Sequence, residues 1–107
     1  MRTISILSKL TGRVYIYLAN AEVGHRFLQQ TEAEGFTYPD GVKPTERGYE
    51  SVMAINHDKT INFVGTNGRI AFQSGAKSVG SEQLLRIDYE KYLSGADDYS
   101  FSPHHPK

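Results

Sequence analysis

No cysteine occurs among the 107 residues, which removes disulfides, thiolate nucleophiles, Cys-based zinc sites and iron–sulfur ligation together. Net charge is missing as well, because twelve Lys and Arg stand against twelve Asp and Glu. Divided after Gly48, the chain carries six basic and five acidic residues before that point, and six and seven after it. Neither half supplies the field of one sign that marks a bulk nucleic-acid or membrane-surface binder. No apolar run approaches the ~20 residues that span a bilayer, and the N-terminus lacks the long apolar region of a secretory signal. A soluble cytoplasmic protein with no membrane partner is the expectation. Local signatures of catalysis are absent too: there is no GxSxG, no HExxH, no Walker loop and no GxGxxG after a strand. We therefore expect no enzyme, no cofactor and no metal.

What is present suffices for one domain. Leu, Ile, Val and Phe number 7, 7, 6 and 5, together 25 of 107 residues, above the roughly 20% below which chains tend towards disorder. Thr3 to Leu7 alternates loosely, Thr11-Gly12 marks a turn, and Val14 to Leu18 alternates apolar residues with tyrosines, which reads as a β-hairpin. Successive side chains of a strand point to opposite faces, so Val14, Ile16 and Leu18 share the core face, and Tyr15 and Tyr17 the other. Asn20 is a good N-cap, and Glu22 places negative charge at the positive end of a helix. Val23, Phe27 and Leu28 form its apolar stripe, and Gly35 ends it in a left-handed conformation, with Phe36 folding back on the last turn. Thr37 to Gly48, with two Pro and two Gly, is the longest loop. Tyr49 to Ile55 and Thr60 to Val64 form a second hairpin, and Gly65 to Gly68 breaks the pattern. Ile70 to Phe72 fits a strand or a helical turn equally. Leu84 to Tyr89 reads as the last strand, followed by a short helix capped by Asp88 and closed by Gly95. The expectation is a single α+β domain over residues 1–95, a small antiparallel sheet of about four to five strands packed on one main helix, with a frayed tail at 96–107.

Several residues invite a chemical reading. His104-His105 lacks a third ligand at metal spacing and reads as solvated tail, and His57-Asp58 reads as a polar turn. Val14 to Asn20 loosely resembles the shorter signature of the RNA-recognition motif, in which Tyr15 and Tyr17 would stack on bases. The second signature is missing, because Lys59 to Val64 has one aromatic and no glycine. Covering the second face of the sheet is the plainer role for the two tyrosines. Gly65-Thr66-Asn67-Gly68-Arg69 has the GxxG spacing of a backbone-clamping loop, but two glycines three apart are common by chance, and a tight connection leaving the Ile61 to Val64 strand is the plainer explanation. Loops on a rigid scaffold present function, and Arg is enriched at binding hot spots. Arg47 and Arg69, with Lys43 and Lys59, are accordingly the candidate partner-binding residues, with the Thr37 to Gly48 loop and the Gly65 to Arg69 turn expected to carry the partner contacts.

Three stretches add a family resemblance: Glu32 to Arg47 (EAEGFTYPDGVKPTER), His57 to Gly75 (HDKTINFVGTNGRIAFQSG) and Arg86 to Gly95 (RIDYEKYLSG). They resemble small accessory proteins of mobile elements and phages of Gram-positive bacteria, a pool that includes the type II-A anti-CRISPR proteins, inhibitors of Cas9. The resemblance implies a non-enzymatic inhibitor whose partner is Cas9 or the complex of Cas9 with guide RNA. Neutral charge disfavours an inhibitor that imitates DNA in a basic channel. The alternative is a small RNA- or DNA-binding module using Tyr15, Tyr17 and the basic residues.

Overall fold

A computed structural model describes residues 2–102. Five strands form one sheet: β1 (Arg13–Tyr17), β2 (Val52–Ile55), β3 (Ile61–Phe63), β4 (Ser78–Val79) and β5 (Glu82–Asp88), in the order β3-β2-β1-β5-β4. Five helices accompany them: α1 (Ile4–Leu7), α2 (Ala21–Ala33), α3 (Pro44–Arg47), α4 (Gly65–Ser74) and α5 (Tyr89–Ser94). The α+β class and the strand count agree with the sequence reading. The sheet is mixed, however, because β1 and β5 run parallel, with Val14 opposite Leu85 and Ile16 opposite Ile87. The β1–β2, β2–β3 and β4–β5 pairs are antiparallel.

Both faces of the sheet are covered. Val14, Ile16, Met53, Ile55, Ile61 and Ile87 meet Val23, Phe27 and Leu28 of α2, with Ile4 and Leu7 of α1 and Tyr89 and Tyr92 of α5. The alternate residues Tyr15, Val52, Ala54 and Leu84 pack with Phe72 of α4 on the other side. The one main helix expected from the sequence is therefore α2 in an outer layer that includes α1 and α5, and α4 adds a third layer. Helix α2 begins and ends where its caps dictate. Asn20 accepts from the Val23 N–H at 3.0 Å. At the other end Gly35 adopts φ 89°, and the Gly35 and Phe36 N–H groups donate to Glu32 and Thr31 at 3.0 and 2.9 Å, the two bonds of a glycine-closed helix end.

Three local expectations are corrected. Thr3 to Leu7 is no strand. Thr3 caps the first turn of α1, and the Glu34 carboxylate, some thirty residues away in sequence, accepts from the Ile4 and Ser5 N–H groups at 3.0 and 2.7 Å. Those two donors would otherwise be orphans of a helix start. Gly65 to Arg69 is no loop but the opening of α4. There Gly68 is buried, and a Cβ at Gly68 would lie 2.6 Å from the Val64 side chain. Finally, part of the segment expected to fray is docked. Ser100 bridges Ile87, the Asp88 N–H donates to the Tyr99 carbonyl at 2.8 Å, and the Phe101 N–H donates to the Arg86 carbonyl at 2.9 Å. The His104-His105 pair lies outside the described residues.

Candidate partner-binding face

The segment from Thr37 to Gly48 folds around one buried aromatic ring. Tyr38 is 2% exposed, and its hydroxyl donates to the Gly48 carbonyl, so the two ends of the segment are tied together. Within it, the Tyr38 N–H donates to Val42 at 2.9 Å and the Gly41 N–H to Tyr38 at 2.8 Å. Gly41, at φ 89°, supplies the turn conformation that a side chain would strain. Pro44 opens the single turn of α3, where its fixed φ suits the first helical position. Glu32 of α2 accepts from the Thr45 N–H and hydroxyl at 3.1 and 2.7 Å, and these bonds hold its carboxyl below the usual range. The segment is thus anchored to α2.

Arg47 closes this unit. It donates to both oxygens of Asp40 at 3.2 and 2.6 Å, and its guanidinium lies 4.7 Å from the centre of the Tyr38 ring. That pairing lowers the Asp40 pKa and raises that of Arg47. Burial pushes the Tyr38 phenol up to about 12, opposed by Arg47 and reinforced by Glu50. Thr37 then pairs with the outer side of β3, bridging Thr60. Beyond that bridge stands Phe63, 39% exposed, with its ring 5.6 Å from Tyr38 in an edge contact.

Lys59 sits in the β2–β3 turn at φ 64°, a conformation that a non-glycine residue rarely takes. Its ammonium reaches the Glu34 carbonyl at 2.6 Å and lies 5.2 Å from the Phe36 ring centre, so the turn brings a cation to the C-terminal end of α2. Lys43 is exposed at the start of α3. Arg69 stands 3.7 Å from Glu50. Three of the four candidate cations therefore have intramolecular partners, and Arg47 is the one that lies against the Tyr38–Phe63 pair. Reading charges alone missed Phe63 and Tyr38. The available signal was an aromatic at the last position of a short strand, beside a loop that itself begins with an aromatic.

Tyr15 and Tyr17 are not open platforms. Tyr15 is 5% exposed among Val52, Ala54, Phe72 and Leu84. The Tyr17 ring lies 6.4 Å from Phe72 and 4.8 Å from Phe101. A base could reach neither face without displacing α4 or the Tyr99 to Phe101 segment. His57 does not pair with Asp58; its Nδ1 meets the Ser8 carbonyl at 2.8 Å. Among the described residues no group of three or more His, Asp or Glu is placed to hold a metal ion. No described helix is long and apolar enough to cross a membrane. Comparison with known proteins gives no matching family model, no matching curated protein and no matching solved structure.

Proposed function

We propose that the protein is a non-catalytic inhibitor that acts by binding another protein, and that its partner is the type II CRISPR effector Cas9 or its assembly with guide RNA. The choice of partner rests on the resemblance of the three stretches described above. The observation that carries a binding role is the Phe63 ring, partly exposed on buried Tyr38, with the Arg47 guanidinium over the Tyr38 ring. An aromatic anchor with a polar, partly charged rim is the usual anatomy of a protein interface. Two of the three resembling stretches, Glu32 to Arg47 and His57 to Gly75, build this one face. The RNA- or DNA-binding alternative gains nothing from Tyr15 and Tyr17, since both rings are occupied by internal packing.

The test is a pull-down of Cas9, with and without guide RNA, using wild type, Phe63→Ala and Arg47→Ala. Binding by wild type, weakened about tenfold or more in both variants without loss of helical signal, is the expected result. Affinity that falls steeply with salt for nucleic acid alone, with no Cas9 captured, would replace this reading by the nucleic-acid module.

A further inference from the structure

The segment that covers Tyr17 is attached differently from the chain before it. Arg2 donates to the carbonyls of Tyr92, Gly95 and Ala96 at 3.2, 3.3 and 2.8 Å, and Gly95, at φ 86°, closes α5. The chain is thereby pinned as far as Ala96. Asp97 and Asp98 are exposed, and Asp98 turns its carboxylate onto Ser100, accepting from the Ser100 N–H and hydroxyl at 3.0 and 2.5 Å. From there Tyr99 to Phe101 crosses the edge of β5 from one face of the sheet to the other. The Tyr99 ring lies 5.1 Å from Tyr92 of α5, on the α2 side. The Phe101 ring lies 4.5 Å from Phe72 of α4 and 4.8 Å from Tyr17, on the opposite side.

Little holds this crossing segment. Among the described residues its main chain makes two bonds to β5, from the Asp88 N–H to the Tyr99 carbonyl and from the Phe101 N–H to the Arg86 carbonyl, and Lys91 Nζ reaches the Ser100 carbonyl at 3.3 Å on the surface. A hollow of about 620 Å3 is lined both by Asp97–Ser102 and by Gly75–Lys77, so the segment and the chain leading into β4 do not close on one another. Proteins open locally in contiguous units, and a unit with few contacts opens at low cost. We propose that Asp97–Ser102 is a strap that opens as one unit, turning about Asp97 and Asp98, while the rest of the domain stays folded. Opening uncovers the Tyr17 and Phe72 rings together with the Arg86 carbonyl and the Asp88 N–H, an aromatic floor beside a sheet edge of the kind that pairs with extended segments. Tyr15, enclosed by Val52, Ala54, Phe72 and Leu84, stays covered. The occlusion of Tyr17 is thus conditional and that of Tyr15 permanent. None of this depends on Cas9 being the partner of the Tyr38 face.

Native-state hydrogen exchange of the full chain, read amide by amide by NMR, tests the strap. The Asp88 and Phe101 amides, whose bonds break together, should share one protection factor, roughly a hundredfold or more below those of Phe27 and Leu28 inside α2. That shared value should barely respond to low urea, because the opening exposes little surface. Val23→Ala then separates local from global opening. It thins the core under α2, far from the strap, and destabilises the closed and strap-open states alike relative to the unfolded chain. Protection of Phe27 and Leu28 should fall about tenfold in this variant, and that of Asp88 and Phe101 should not change. Strap amides protected as well as those of α2 in the wild type, or losing protection in step with them in Val23→Ala, would overturn the proposal. So would unequal protection of Asp88 and Phe101, which denies a single unit, or protection near unity at both, which denies a docked strap.

Discussion

At the scale of single residues, burial separates what the fold needs from what the surface presents. Phe27 has no exposed area and meets Tyr89 edge-on at 5.4 Å, in the middle of the larger core cluster. Phe27→Ala should cost about 3–5 kcal/mol, because the site loses a ring and the walls of the core collapse only partly. That is a large share of a small domain's stability, and a urea titration reads it directly. A loss below about 1 kcal/mol would mean that α2 turns a different stripe to the sheet. Phe63 is the contrasting case. Its ring is partly wet, so truncation should alter binding more than folding, which is why it serves as the probe of the proposed interface. The cations alone were poor guides, since Arg47 is already engaged by Asp40 and Arg69 by Glu50. A partner carboxylate must compete with an existing one at either position.

At the scale of elements, α1 depends on a residue outside itself. Burial raises the Glu34 pKa, but bonds from the Ile4 and Ser5 N–H groups, the Ser5 hydroxyl and Gln30 outweigh it, and the carboxyl titrates below its ordinary value of 4.5. A depressed carboxyl stabilises the fold fully above its unfolded pKa, and that contribution disappears as pH falls through the lower folded value. Stability should therefore decline on the acid side of about pH 4.5, and Glu34→Gln should flatten that decline while costing about 1–2 kcal/mol at neutral pH. Thermal melts of both proteins from pH 7 to pH 3 would show it; parallel curves would remove Glu34 as the clamp of α1. The same bond explains what sequence reading could reach. Helix α2 was legible because Asn20, its apolar stripe and Gly35 lie within one window, and α5 was legible from Asp88 and Gly95. Ile4 to Leu7 and Gly65 to Ser74 were not, because a distant carboxylate settles the first and close packing of Gly68 against Val64 and Tyr15 permits the second. The parallel pairing of β1 with β5 joins segments some seventy residues apart, beyond any local pattern. Of the candidate site, the loop and its cations were legible. Its aromatic centre was not, since Tyr38 and Phe63 meet only after β3 has paired with Thr37.

At the scale of the whole molecule, the described chain has a radius of gyration of 13.0 Å, which matches the ~13 Å of one compact domain of about 100 residues. With both faces of the sheet covered, the surface that remains for function is helix exteriors, strand edges and loops. The face around Tyr38 belongs to this class. An inhibitor that works through such a face occupies its target one to one. Cas9 cleavage, measured at fixed effector concentration well above the dissociation constant, should therefore fall linearly with added protein and reach its floor near equimolar ratio, with EDTA-treated inhibitor behaving identically after the chelator is removed. A catalyst would silence many effectors per copy. Loss of activity at strongly substoichiometric ratio, or fragments of guide RNA on a gel, would overturn the binding model. Attention would then move to His25, His57, Asp58 and Glu46, as the local acid–base groups left to carry a reaction.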